Sequence, residues 1–191
     1  MIQRKISGIS LIEVLITVLV MAVGMLGVAA LQVKALNTSQ ESYSKSQAVV
    51  VLEGMADLMR ADYEFIHSDE VGNNTYSAQG DNWCAAPPAE CTKSSCSKVE
   101  QAQTNMAQAC TALAATGIPG AKMGAKCLDL DGGVDTDACT PGSLHLLYVS
   151  WQPTVRDDTD GEDTYSGPMT RCHNEFSLNA NEDCVFIELV P

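Results

Sequence analysis

Hydrophobic residues are concentrated at the start of this chain. Residues 9–31 form a run of 23 positions in which Glu13 is the one charged residue. A run of that length is long enough to cross a bilayer as a helix. Arg4 and Lys5 precede it, and basic residues before a span predict that the N-terminus stays in the cytoplasm. The pattern therefore predicts a membrane-spanning helix.

The helical pattern continues beyond this run on a polar background. Apolar residues recur at three- and four-residue spacing from Ala48 to Met59, and Glu53 and Asp57 lie on the opposite side. We predict one helix from about residue 10 to residue 62, roughly 80 Å long at 1.5 Å per residue. Its first half is predicted to enter a membrane or a filament core, and its second half to pack on a globular head.

A second helix is predicted over Lys98–Ala115. Ser97 and Glu100 have the spacing of a capping box, and Gly117 marks the end of the helix. Residues 67–97 are rich in Gly, Asn, Pro and Ser and show no sustained period. That composition predicts a loop between the two helices.

Strand signals are confined to the last third of the chain. Short runs with aliphatic and aromatic residues are separated by Gly- or Asp-rich turns, and connections of hairpin length favour antiparallel pairing. The predicted fold class is α+β, with a long N-terminal helix packed on a small antiparallel sheet and loops stapled by disulfides. The predicted strands are Ala125–Leu130, Leu144–Gln152, His173–Leu178 and Cys184–Val190.

All cysteines lie in the polar part of the chain. Their number is 8, and an even number behind an export-like N-terminus predicts a disulfide framework. Zinc is the alternative, but zinc modules favour Cys-x-x-Cys pairs, and none occurs here. We expect the local pairs Cys127–Cys139 and Cys172–Cys184, because each spans a turn-rich loop between predicted strands. The full set is Cys84, Cys91, Cys96, Cys110, Cys127, Cys139, Cys172 and Cys184.

The charge of the chain is strongly acidic. Its formal net charge is −13 and its pI is near 4.4. Such a surface repels phosphate backbones, so direct binding of nucleic acid by the head is not expected.

Two acidic runs are candidates for calcium sites, Asp129–Asp137 and Asp157–Asp163. Neither has a glycine at the sixth position and a glutamate at the twelfth, as an EF-hand loop requires. Solvated acids in hairpin turns are the favoured interpretation, and a calcium site of another kind is the alternative. No metal ligand is therefore predicted.

Catalytic motifs are missing from the sequence. It contains no Gly-x-Ser-x-Gly, no phosphate-binding glycine loop and no His-Glu-x-x-His, and the three histidines are far apart. We predict neither enzyme activity nor a cofactor. Trp83 and Trp151 are interpreted as packing residues.

A small residue, Gly8, lies before the apolar run rather than after it, unlike the cleavage site of an ordinary secretory signal. Cleavage after Gly8 would keep the anchor and expose Ile9 as the new N-terminus. The sequence Gly-Ile-Ser-Leu-Ile-Glu-Val-Leu at residues 8–15 resembles the class III signal of type IV prepilins and pseudopilins, in which phenylalanine usually follows the glycine. The resemblance implies cleavage after Gly8 by a prepilin peptidase and N-methylation of Ile9.

Glu13 has two interpretations. Ser10 and Glu13 have the spacing of a capping box, which would satisfy amide donors at the start of the helix. The resemblance instead implies that Glu13 pairs with the first amine of a neighbouring subunit inside a filament. A carboxylate in an apolar span costs a few kcal/mol unless it finds a partner, and we favour the intersubunit pair.

Further segments resemble the PilV family of minor pilins, often described as type IV pilus modification proteins. The resemblance implies a minor pilin that joins a tip complex, primes pilus assembly and contributes to adhesion. Its implied partners are other minor pilins, the major pilin and the prepilin peptidase. The segments are residues 51–62, 96–109, 113–121, 126–130, 138–142 and 148–153.

The same resemblance implies how the chain is divided. Residues 1–8 are a leader peptide, 9–36 the transmembrane or filament-core half of the helix, 37–62 its amphipathic half, and 63–191 a disulfide-rich head. The protein is expected in the inner membrane with its head in the periplasm, and then in the pilus at the cell surface. A minor pseudopilin of a type II secretion system and a receptor-binding adhesin are the alternatives.

Overall fold

The computed structural model describes residues 10–68, 74–78, 82–129, 142–153, 168–179 and 181–190. The chain divides into two compact units, Met1–Gln40 and Glu41–Pro191. Helix α1, Leu11–Ala61, contributes residues to both units, and we describe each unit separately. The bounds of α1 agree closely with the helix predicted over residues 10–62.

The described part of the first unit is helical after Ser10. The carbonyl of Ser10 accepts hydrogen bonds from the backbone N–H groups of Glu13 and Val14, at 3.0 and 3.3 Å. These bonds form the first turn of α1. No residue of α1 before Ala48 is buried.

The second unit begins with the remainder of α1. It is called the head below, and it includes residues 41–62 in addition to the head predicted over residues 63–191. Short helical segments follow: α2, Tyr63–Ile66; α3, Thr75–Ala78; and a single 3-10 turn, Trp83–Ala85. The predicted loop over residues 67–97 therefore contains α3 and this turn. Trp83 and Trp151 are both buried, so they pack in the core as predicted.

Helix α4 spans Lys98–Ala115, the bounds predicted for it. The Ser97 hydroxyl accepts a hydrogen bond from the backbone N–H of Glu100 at 3.2 Å, and the Glu100 carboxylate accepts one from the backbone N–H of Ser97 at 2.9 Å. This is the predicted capping box. Gly117, with a φ of 70°, follows the helix in the left-handed conformation that glycine adopts without strain.

Three strands form an antiparallel sheet in the order β1-β2-β3: β1, Lys122–Leu128; β2, Leu144–Trp151; and β3, Asp183–Leu189. The register pairs Leu147 of β2 with Ala125 of β1 and Ile187 of β3. The central strand, β2, matches the predicted strand Leu144–Gln152 to within one residue. The α+β class is therefore confirmed.

The prediction of a strand over His173–Leu178 is wrong, because this segment lies mostly in helix α5, Pro168–Phe176. Cys172 and Phe176 are four residues apart, so a helix places both on one face. That face packs on Leu146 and Tyr148 of the sheet. A run this short cannot be assigned to a helix or a strand from its periodicity alone.

Both faces of the central strand are covered. One face, with Leu146 and Tyr148, meets α5. The other face, with Leu147 and Val149, joins the main core. In that core the apolar sides of α1 and α4 pack together with the sheet; the buried helix residues include Ala48, Leu52, Met55, Ala56 and Met59 of α1 and Ala102, Met106, Ala109 and Leu113 of α4.

Candidate assembly surface

The first unit presents an exposed apolar helix. The large hydrophobic side chains from Leu11 to Leu36 are between 50% and 84% exposed. An 18-residue window of α1 has a mean hydropathy of 2.7, which with its length makes α1 a candidate membrane span. Exposure of this much apolar surface to water is unfavourable. The surface is therefore suited to burial in lipid or against other protein chains.

Polar groups in this apolar segment are few. Thr17 donates its hydroxyl to the carbonyl of Val14 at 2.8 Å, so its polarity is satisfied inside the helix. Glu13 lies in the first turn and is exposed. A negative charge is favoured in that turn by the helix dipole. Glu13 is thus positioned at the helix start, while Gly8 and Ile9, the predicted processing residues, lie outside the described residues.

Two glycines lie within the apolar segment, Gly24 and Gly27. A Cβ atom built on either residue would meet nothing within 4 Å. Contacts within the described chain therefore do not require glycine at these positions. Small residues are common where membrane helices approach each other closely.

Disulfides hold the head together. Cys84–Cys110 joins the 3-10 turn to α4, and Cys91–Cys96 closes a small loop just before Ser97. Neither of these two pairings was predicted from the sequence.

The Cys172–Cys184 disulfide is present, and it joins α5 to β3 rather than two strands. Cys127 is disulfide-bonded, and Cys139, its expected partner, lies outside the described residues. Zinc ligation was the alternative for these cysteines. Within the described ranges no group of three or more His, Cys, Asp or Glu side chains is arranged to hold a metal.

A buried polar network anchors the end of α1 in the head. Asp62, Tyr76 and Asn105 are all buried. Tyr76 donates its hydroxyl to Asp62 Oδ2, and Asn105 Nδ2 donates to the same oxygen at 2.9 Å. Burial, followed by the hydrogen bond to Asp62, raises the pKa of Tyr76, so the phenol stays neutral and remains a donor.

This network was missed in the sequence, although a signal for it exists. Asn105 lies three residues after Ala102 and four before Ala109, on the apolar face of α4. A polar residue at a core-facing position requires buried partners. Asp62, at the end of the predicted helix, could have been proposed as one of them.

A second buried carboxylate links the strands to the loop after α5. Glu182 accepts hydrogen bonds from Lys122 at 2.5 Å, Asn179 at 2.7 Å and Ser150 at 3.2 Å. Burial by itself would raise the pKa of Glu182, but these bonds and the charge of Lys122 lower it. Glu182 is therefore held as a carboxylate.

The start of the head's helical segment is bound to the end of the sheet. Trp151 donates its indole N–H to Glu41 Oε1 at 2.9 Å. Burial, followed by a hydrogen bond with Asp183, raises the pKa of Glu41, while Trp151 and Lys45 act in the opposite direction. The acidic runs considered for calcium lie outside the described residues, except for Asp129.

Two family models match the chain. Residues 3–29 match the prokaryotic N-terminal methylation motif, and residues 30–112 match the Tt1218-like model described as type IV pilin Tt1218. No curated protein and no solved structure matches the chain. The two adjoining matches together cover the predicted processing site, all of α1 and most of α4.

Proposed function

The chain is a type IV pilin-like protein with the α+β pilin fold, and we propose that it is a minor pilin that joins a tip complex and primes pilus assembly. Proteins of this family are structural rather than catalytic. The methylation motif and the apolar helix indicate that the chain is anchored in a membrane and then enters a pilus. Its partners accordingly include other pilins and a prepilin peptidase.

The observation that supports assembly most strongly is the exposed apolar helix that follows the methylation motif. No residue between Leu11 and Gln47 is buried within the chain. The apolar part of this stretch needs a partner, and a bundle of equivalent helices in a filament would supply one once the helix leaves the lipid. The second unit thus buries its apolar side chains in its own core, whereas the apolar helix of the first unit needs neighbouring helices to bury them.

The minor role is supported by the segments that resemble the PilV family. Residues 51–62 contribute most of the buried face of α1 and end at Asp62, and residues 96–109 contain Asn105.

The net charge of the subunit also supports a minor role. Cleavage after Gly8 removes Arg4 and Lys5, so subunits in a shaft would each carry a net charge of −13 − 2 = −15 and would repel each other, although salt screens charges beyond roughly 8–10 Å.

We assign the processing roles to Gly8 and Ile9 because residues 8–15 resemble the class III signal and lie within the matched methylation motif. The peptidase cuts after Gly8, which removes Arg4 and Lys5, and methylates Ile9. Intact mass of protein extracted from membranes is expected to show loss of residues 1–8 and one added methyl group. A full-length chain in cells with active prepilin peptidase would contradict this assignment.

Topology follows from the basic leader. The N-terminus lies in the cytoplasm, the helix crosses the inner membrane once, and the head lies in the periplasm before assembly. That location matches the disulfides of the head, since disulfides persist in the periplasm. No nucleic acid is expected among the partners.

A clean deletion tests the priming role. We expect the number of surface pili to fall sharply in the deletion strain. Immunogold labelling of the complemented strain is expected at pilus tips or at the base, in few copies. Normal piliation in the deletion would contradict priming, and label along the whole shaft would contradict the minor role.

The same strain separates the two alternative functions. An adhesin predicts that pilus number is kept while attachment is lost. A pseudopilin predicts that pili are kept while secretion of exoproteins fails. Either pattern would replace the proposed function.

A further inference from the structure

One disulfide of the head lies at the surface. In the Cys91–Cys96 bridge, Cys96 is exposed and Cys91 is half-buried, and the four residues between them are all exposed. A thiolate attacks a disulfide only where it reaches a sulfur atom, so exposed disulfides are the ones that exchange readily. We propose that Cys91–Cys96 is a thiol-exchange site, which a protein dithiol reduces while the rest of the head stays folded.

Two other disulfides of the head are protected by packing. Cys110 of the Cys84–Cys110 bridge is 5% exposed, and Cys172 and Cys184 are 0% and 6% exposed. A thiolate reaches these sulfur atoms only after part of the core has opened. Accessibility therefore separates Cys91–Cys96 from both of these bridges.

The loop closed by Cys91–Cys96 is attached to α4 by polar contacts. The backbone N–H of Cys91 donates to Thr104 Oγ1 at 2.8 Å, and Lys93 Nζ donates to Glu100 Oε1 at 2.7 Å. The Lys93 side chain is 69% exposed, and an ion pair of this kind contributes little to stability. Residues 91–98 include no buried residue, so opening the ring frees this loop without disturbing the core.

A dithiol alone balances the reaction. One of its thiolates attacks Sγ of Cys96, the exposed end of the bridge; a mixed disulfide forms, the Cys91–Cys96 bond breaks, and Cys91 leaves as a thiolate. The second thiolate of the dithiol then attacks the dithiol's own sulfur in the mixed disulfide and releases Cys96. The dithiol is thereby oxidised to a disulfide by two electrons, and its two protons pass to Cys91 and Cys96.

The position of Cys96 favours the second step. Cys96 directly precedes Ser97, the N-cap of the 18-residue helix α4. The positive end of a helix dipole stabilises a nearby anion, and it lowers the pKa of a thiol placed there. The thiolate that leaves in the second step is therefore the one that α4 stabilises.

Reduction kinetics of the full chain in detergent micelles test the accessibility. Dithiothreitol serves as the dithiol, and thiols are alkylated at intervals and assigned by mass spectrometry. Cys91 and Cys96 should be alkylated together, at least about tenfold faster than the cysteines of the two buried bridges, with an unchanged near-ultraviolet circular dichroism spectrum. Cys127 and Cys139 are quantified separately, because Cys139 lies outside the described residues. Equal rates for all bridges, or unfolding that accompanies the first alkylation, would overturn the proposal.

A trapping experiment tests the attack by a protein dithiol. A Cys-x-x-Cys protein whose second cysteine is replaced by serine cannot complete the second step, so the mixed disulfide accumulates. Peptide mapping should find it on Cys96. Attachment at Cys91, attachment at a buried bridge, or no mixed disulfide would overturn the proposal.

Amide exchange and variants test the release of the loop. After reduction, the Cys91 amide should exchange faster, while the amide of buried Met106 in α4 keeps its protection. Replacing both Cys91 and Cys96 by serine should abolish the fast alkylation and the mixed disulfide, and Ser94→Ala, an exposed change within the same loop, should keep both. Fast alkylation that survives in the double variant, or a Cys91 amide unaffected by reduction, would overturn the proposal. Should the double variant not fold, the wild-type rates and the trapped peptide decide.

Discussion

Residues 11–36 of α1 carry apolar side chains around the whole helix and leave them exposed, whereas residues 41–61 carry them along one side and bury them in the head. The secondary structure is the same in both segments, and the source of burial differs. The amphipathic segment finds its partners in α4 and the sheet. The uniformly apolar segment has a surface that lipid or other subunits must cover.

The acidic residues Asp62 and Glu13 differ in burial in the same way as the apolar side chains around them. Asp62 receives donors from Tyr76 and Asn105 inside the head, so its hydrogen bonds are supplied by the chain itself. Glu13 is exposed on the helix surface. A substitution at Glu13 should therefore affect assembly and leave folding unchanged, while substitutions in the head should do the opposite.

Glu13→Gln is expected to have the largest effect. If Glu13 neutralises a neighbour's N-terminal amine in an apolar filament core, its loss leaves a buried ammonium unpaired at a cost of about 3–5 kcal/mol, or more than about 100-fold in association. Surface pili and crosslinking to other minor pilins should fall accordingly. Membrane insertion, leader cleavage and the unfolding free energy of the head should match the wild type.

Glu53→Gln is the matched control, because it removes the same charge from an exposed position of α1. If Glu13 only caps its own helix, glutamine would serve as well, and assembly would be normal. Normal piliation in Glu13→Gln would therefore reject the intersubunit pair and retain the capping box with Ser10.

The disulfides are expected to give the next largest effect, confined to the head. Replacing Cys84 and Cys110 by serine opens a loop with a sequence separation of 26, which in the chain-entropy model costs about 3.5 kcal/mol of unfolding free energy. Replacing Cys91 and Cys96, with a separation of 5, should cost about 2 kcal/mol. Urea unfolding of the full chain in detergent measures both. The reverse ranking would show that chain entropy does not control these bonds.

Asn105→Ala should cost about 1–3 kcal/mol, because Asp62 and Tyr76 then lose a donor in a buried site. Gln108→Ala, at an exposed position of the same helix, is the control for helix propensity and should be nearly neutral. Equal unfolding midpoints for the two variants would show that the network contributes nothing beyond packing.

The sequence predicted the elements whose signals are local and repeated. The apolar run, the three- and four-residue spacing of α1 and the capping box at Ser97 each specify a helix without knowledge of the fold. Helix α5 was missed because its nine residues have few apolar positions and are helical through contacts with Leu146 and Tyr148 of the sheet.

Contacts between distant residues are harder to predict. Glu41 and Trp151 are 110 positions apart, and nothing in the local pattern relates them. Asp62 and Asn105 are 43 apart; the place of Asn105 on the apolar face of α4 signals a buried partner, but the local pattern does not fix which residue it is. The same holds for Cys84–Cys110, since eight cysteines allow 105 pairings and the correct one depends on the packing of the 3-10 turn on α4.

The smallest effect is expected from the loss of a capping-box serine. Two pairs of residues have the capping-box spacing, Ser10 with Glu13 and Ser97 with Glu100, and the serine can be replaced in each. In the head, hydrogen bonds from Lys93 and then from Ser97 lower the pKa of Glu100 to about 2, so its carboxylate caps α4 at neutral pH. A depressed pKa means that this contribution is present above the ordinary value of 4.5 and is lost as pH falls toward 2.

Ser97→Ala should therefore lower the unfolding free energy by about 1 kcal/mol at neutral pH, and the deficit should shrink as acid protonates Glu100. Ser10→Ala changes the corresponding residue of a segment that contributes no buried side chain to the core, so the unfolding free energy of the head should stay at the wild-type value. Urea titrations of both variants at about pH 7 and about pH 3 make the comparison. A Ser97→Ala deficit that does not depend on pH would show that Glu100 plays no part in the cap. A deficit in Ser10→Ala equal to that of Ser97→Ala would show that the start of α1 supports the head, against the division of α1 into one segment for assembly and one for folding.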